Sequence, residues 1–265
     1  MKLEEDVFKL VEDIERWFYY APGEDLFHLY KGNVLMALHK IQDVYQTLSF
    51  ARISLDSLRA ENLGDLIDED PNGVGKAVIR YMFMNNSISF YNHCIDLSWQ
   101  VLWLYYNPEM NKYSIHSRED YLKSTKDCTL GELRYPLILA KQEKLYDMID
   151  EFFNRETTSR IRTKYNYIKH RGVYHIDKMG ENYKTSKISY DGKHLPLLYR
   201  EELDLEEMKS FLIEFDKSFV EYFEIIISHV VPMDFRKNKQ IELNISEVCK
   251  YAEKYFSSLD NKEIK

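Results

Sequence analysis

The chain has 265 residues, 45% apolar and 14% aromatic, with 21 tyrosines against 9 glycines and 6 prolines. That apolar content is ample for a packed core and excludes a disordered chain, and the scarcity of glycine and proline favours long helices over a many-stranded sheet. The formal net charge of −8 excludes a surface coated throughout by nucleic acid, while leaving room for a local basic cleft.

Apolar residues at helical spacing (Leu3, Val7, Leu10, Val11, Ile14, Trp17, Phe18) predict a first helix over residues 2–20, stopped by Ala21-Pro22-Gly23. A second is expected over 33–61, with Leu35, Leu38, Ile41, Val44, Tyr45, Leu48, Ile53 and Leu55 on its buried face. An acidic, turn-rich break follows at 62–75. A third long helix is expected from Lys76 to Tyr106, apolar nearly all round in its second half and therefore central. Residues 109–130 read as a polar loop with a short helix over Arg118–Ser124. A fourth long helix covers 136–153, and a basic one starts after Asn154, capped by Thr157, Thr158 or Ser159 and closed by Gly172.

The period then changes. Residues 185–199 alternate around Asp191-Gly192, a strong hairpin signal, and Pro196 confines its strand to an edge. Asp204 with Glu207 makes a capping-box-like start for a helix over 204–229, which ends before Pro232. A last helix is expected over 244–258, with a frayed tail at 259–265. No repeat, low-complexity segment or linker stands out. The expected architecture is one all-α domain over residues 1–265, a bundle of about six to seven helices with one small β-hairpin.

Cys94, Cys128 and Cys249 are odd in number and widely spaced, and the chain opens on a charged amphipathic stretch in place of an apolar leader. Reduced thiols and a cytoplasmic location are the expectation. The apolar runs at Ile95–Tyr106 and Phe219–Val231 are interrupted by Asp96, Glu221 and Glu224, so no membrane span is expected.

Several motifs fall away. Asn72-Gly73-Val74-Gly75-Lys76 looks like the end of a phosphate-binding loop, but Asp70 and Ala77 stand where that loop needs Gly and Ser or Thr. It reads as a turn entering a helix. His170 and His175 are five apart, which suits neither a helical metal site nor a zinc finger, and His93-Cys94 has no second ligand cluster. No metal or cofactor is expected. No carboxylate pair stands out for acid–base work, and no serine or cysteine nucleophile signature is present.

The informative stretch is Arg155–Arg171, with six basic side chains and one acidic in an acidic chain. At about 100° per residue, Ile161, Tyr165 and Ile168 form a narrow inward stripe. Arg162, Asn166 and His170, four apart in turn, then share an adjoining face. Arg160, Lys164, Lys169 and Arg171 widen its positive rim. A histidine exchanging protons near neutrality, a guanidinium neutralising a phosphate and an amide orienting it would suit RNA cleavage by its own 2′-hydroxyl. The plainer reading is a solvated face whose cations complement the helix dipole.

The string Tyr165-Asn166-Tyr167-Ile168-Lys169-His170-Arg171-Gly172 resembles the signature of the HEPN superfamily, an Arg followed four to six residues later by His, often with Asn directly after the Arg. Asn166 and His170 match its Asn-x-x-x-His part. Tyr165 stands where the signature has Arg. Lys164 has the right spacing, and Arg162 shares the face. The order of elements, with a motif on a late helix followed by a small hairpin, is similar to one bacterial branch. The resemblance implies a metal-independent endoribonuclease assembled across a homodimer, in a defence or toxin system, provided that Arg162 or Lys164 replaces the missing Arg. His170 would be general acid–base and Asn166 a positioning group. The alternative that the resemblance implies is an inactive module that binds nucleotide, RNA or a protein partner such as an antitoxin.

Overall fold

The apolar runs of the sequence become long helices. The computed structural model describes residues 9–23, 26, 29–59, 72–108, 118–126, 128–235, 249–250 and 253. After a helical turn at 9–11 and a 3-10 turn at Glu12–Ile14 come α1 (Glu15–Phe18), α2 (Gly32–Ser57), α3 (Val74–Tyr106), α4 (Arg118–Lys126) and α5 (Leu130–Leu139). There follow α6 (Glu143–Asn154), α7 (Glu156–His170), a hairpin of β1 (Lys187–Tyr190) and β2 (Lys193–Pro196), and α8 (Leu205–Val230). Among the described residues the protein is all-α with one antiparallel hairpin. The expected helix at 244–258 lies outside the described residues, apart from 249–250 and 253, which are helical. Residues 2–8 of the first expected helix, most of the acidic break, and 109–117 also lie outside them.

The fourth expected helix needs correction. The single helix expected over 136–153 is two, because α5 ends at a left-handed Lys141 with φ 58°. Gln142 N–H donates to the Leu137 carbonyl at 2.8 Å and Lys141 N–H to that of Ile138 at 2.9 Å, the paired bonds of a Schellman end. Thr129 starts α5, its hydroxyl accepting from Glu132 N–H at 3.2 Å.

The hairpin has the expected centre. Asp191 and Gly192 both have positive φ, 49° and 68°, which matches the right-handed twist of the strands they join. Ile188 pairs with Leu195. Asp204 caps α8, its Oδ1 accepting from the N–H groups of Glu206 and Glu207 at 2.9 Å. The reciprocal half of the expected box is not formed, because Arg160 engages the Glu207 carboxylate.

The chain groups into two compact units. The first holds residues up to Glu12, Thr47–Ile95 and Phe152–Val220; the second holds Asp13–Gln46, Asp96–Glu151 and Glu221 onward. In the second, Val101–Leu104 at the end of α3 are buried on all sides, as their apolar run anticipates, and Trp17 meets Phe223 edge to face at 4.9 Å. In the first, Phe152, Phe215 and Phe219 form a ring cluster with centroids 6.0–6.2 Å apart. At its side, Arg52 grips Asp216 with two bonds of 2.9 and 2.7 Å and donates a third to the Leu10 carbonyl at 2.7 Å. The Tyr91 hydroxyl donates to the same carboxylate at 2.8 Å.

The three cysteines are free thiols, Cys94 buried and Cys249 exposed. Burial raises the Cys94 thiol well above its ordinary range and pushes that of Cys128 up to about 12, so neither is an activated nucleophile. Among the described residues no helix is long and apolar enough to cross a membrane.

Candidate functional site

The basic helix α7 is held by its own apolar and aromatic residues. Ile161 is fully buried, a contribution of about 1.5–3 kcal/mol, and Thr158 is buried beside it. Tyr165 and Ile168, expected to face inward with Ile161, are half-buried. The hydroxyls expected to cap the helix are not used. Arg155 takes the cap position with extended backbone, its carbonyl accepting from Ser159 N–H at 2.9 Å.

At the other end Gly172 closes the helix as expected. Its φ of +112° turns the chain, and the Tyr167 carbonyl accepts from both Arg171 N–H (2.8 Å) and Gly172 N–H (3.2 Å). The chain then doubles back. Tyr174 stacks on Tyr167 at 4.2 Å, its N–H donates to the Tyr81 hydroxyl at 2.7 Å, and the Tyr167 hydroxyl accepts from Glu201 N–H at 3.1 Å. This bracing fixes the last two turns of α7 and leaves Asn166, Lys169, His170 and Arg171 exposed.

The backbone row Arg162, Asn166, His170 lies along one helical face, but the side chains do not converge. Eight residues of α-helix separate the ends of that row by about 12 Å. The Arg162 guanidinium lies over the Phe153 ring, 4.3 Å from its centroid, which draws it toward the start of α7 and away from His170. Lys164 Nζ sits 4.5 Å from the centroid of the Tyr174 ring. Arg160 covers Phe211 at 4.4 Å and pairs with Glu207. Lys169 Nζ lies 6.0 Å from the Tyr165 ring centroid, and His170 ends the helix in solvent. The structure brings Lys169 to Tyr165 and leaves Asn166, His170 and Arg171 exposed on the same end of the helix.

One neighbour has no signal in the local sequence. His93 on α3, 72 positions from Tyr165, has its Nε2 3.4 Å from the Tyr165 hydroxyl and its ring 5.6 Å away, edge to face. Only knowledge of which helices pack together could have paired them.

The phosphate-loop look-alike forms the turn entering α3, with Gly73 at φ +66°. It lines a cleft of about 710 Å³ in the first unit. The three lysine and arginine side chains there face four carboxylates, Arg80 is bound to Glu206, and the α8 N-terminus already has Asp204 as its cap. That balance of charge gives no cationic field for a phosphate, unlike the end of α7. Among the described residues no group of three or more His, Cys, Asp or Glu side chains is placed to hold a metal ion. Compared with protein-family models, curated proteins and solved structures, the chain matches none.

Proposed function

We propose that the chain is an HEPN-like RNA-binding module that grips phosphodiesters through the exposed end of α7 and, as a single copy, does not cut them. The observation that carries this reading is where the two expected phosphate clamps go. Arg162 lies over Phe153 and Lys164 over Tyr174, while His170 faces solvent at the far end of the helix. Cleavage by the 2′-hydroxyl requires a proton-exchanging ring and a neutralising cation on one phosphodiester. Binding requires only that cations and an amide reach neighbouring phosphates, and Asn166, Lys169 and Arg171 are exposed for that purpose in an otherwise acidic chain. The match of Asn166 and His170 to the HEPN signature favours RNA over other polyanions.

A second reading keeps the exposed His170 ring as general acid–base of an endoribonuclease, with the missing clamp supplied by a second copy of the chain across a two-fold axis. One experiment decides between them. Labelled single-stranded RNA is incubated with the purified protein in EDTA, beside His170→Ala, and scored for both retention and cleavage. The binding module predicts salt-sensitive retention and intact RNA in both samples. EDTA-resistant cuts that vanish with His170→Ala would replace it by the endoribonuclease, and absence of retention at low salt would remove both.

A further inference from the structure

Four rings lead across the first unit to the exposed end of α7. Phe50 on α2, 52% exposed, has its centroid 5.6 Å from Phe90 on α3. Phe90 lies 6.4 Å from His93 one turn further along α3, and His93 5.6 Å from Tyr165 on α7. Lys169 Nζ lies 6.0 Å from the Tyr165 ring centroid. His93 is exposed, and Phe90 and Tyr165 are half-buried. Phe50 and Phe90 are tilted at 48°, and the Phe90–His93 and His93–Tyr165 pairs are edge to face at 79° and 75°, so no two of these rings form a parallel stack. The His93–Tyr165 contact ties α3 to α7 and fixes the tilt of the ring beside the cations.

A single exposed phenylalanine is ordinary surface. A row of rings from three helices that ends on Lys169 and its neighbours His170 and Arg171 has the composition of a stacking platform beside a phosphate track. We propose that this row is a rail for single-stranded RNA, with unpaired bases stacking on Phe50, His93 and Tyr165 and the backbone passing over Lys169 and Arg171. The inference rests on the reading of α7 as an RNA-binding surface and adds the class of RNA it takes. In a duplex each base face is covered by the next base pair, so rings have nothing to stack on. An unpaired strand offers a face at every nucleotide whatever its sequence, and the rail is therefore tolerant of sequence and intolerant of pairing.

The test measures binding of oligouridine, oligoadenosine and an RNA duplex over a series of salt concentrations. Wild type is compared with Phe50→Ala, Phe50→Leu, His93→Ala and Lys169→Ala, each checked for an unchanged thermal melt. The rail predicts that both single strands bind more tightly than the duplex. Phe50→Ala and His93→Ala then weaken single-strand binding by about 5- to 100-fold without altering its salt dependence. Phe50→Leu, which keeps apolar bulk and loses the ring face, shows most of the same loss. Lys169→Ala instead lowers the slope of log affinity against log salt by about 0.7, the signature of one lost phosphate contact. Equal or tighter duplex binding, or ring variants that bind as wild type while Lys169→Ala does not, would overturn the rail and leave the cationic surface standing. No binding of any RNA by wild type would overturn both.

Discussion

Arg52 and the two lysines of α7, Lys164 and Lys169, belong to the same unit and are used in opposite ways. Arg52 spends its donors on fixed acceptors, two on Asp216 and one on the Leu10 carbonyl, and only 11% of its side chain is exposed. Tyr91 completes the set from the other side of the carboxylate. Lys164 and Lys169 rest on ring faces instead, contacts that use the positive charge without consuming an N–H donor. The first arrangement joins the N-terminal segment, α2, α3 and α8 and has nothing left for a ligand. The second orders a side chain lightly and leaves its N–H donors unspent. Counting basic residues does not distinguish the two; asking what satisfies each one does.

The largest expected effect is on the satisfied side. Arg52→Ala leaves the Asp216 carboxylate, 14% exposed, without its bidentate partner, and the loss is expected to be about 3 kcal/mol or more by chemical denaturation. A loss below about 1 kcal/mol would show that water replaces the guanidinium, and the contrast with α7 would then fail. Tyr91→Phe removes one donor to the same carboxylate and is expected to cost about 1.5–3 kcal/mol near neutral pH, the range for a bond to a charged group. This second variant also gives a pH test. Burial, and next the neighbouring Asp216, hold the Tyr91 hydroxyl well above its ordinary value of 10.0. A group whose native pKa is raised stabilises fully below its unfolded pKa and loses that contribution as pH rises past it. The stability gap between wild type and Tyr91→Phe is therefore expected to hold up to about pH 9 and to narrow above 10. A gap that widens with alkali would contradict the assignment.

Features encoded by a residue and its immediate neighbours were legible in the sequence. Asp191-Gly192 announces the hairpin because few residues tolerate two positive φ angles in succession. Asp204 announces the start of α8, and Gly172 the end of α7, for similarly local reasons. The break between α5 and α6 was hidden because a lysine holds its left-handed position, at a cost of about 1–2 kcal/mol. The two bonds that close α5 and the burial of Leu145 and Ile149 beyond the turn offset that cost. Neither has a local signature. The same division runs through the site. Spacing shows which residues share the outer face of α7, since that depends on helical period alone. It does not show where a long side chain ends. Arg162 reaches Phe153, Lys164 reaches Tyr174, and Tyr165 meets His93 from another helix, and each pairing is decided by how elements pack.

The smallest expected effect sharpens the contrast at its weaker end. Lys164 Nζ lies over Tyr174, a ring that is itself buried, stacked on Tyr167 and bonded through its backbone to Tyr81. The ring needs no cation to stay in place, so Lys164→Ala is expected to cost about 0.5–1 kcal/mol, the range for a cation over a ring near the surface. Lys164→Met keeps the stem that covers the ring and drops the charge, which separates packing from electrostatics. If the ring contact is electrostatic, Lys164→Met loses most of what Lys164→Ala loses, and raising the salt concentration narrows the gap to wild type. A loss of about 3 kcal/mol, on the scale of Arg52→Ala, would instead place Lys164 among the groups that hold the fold.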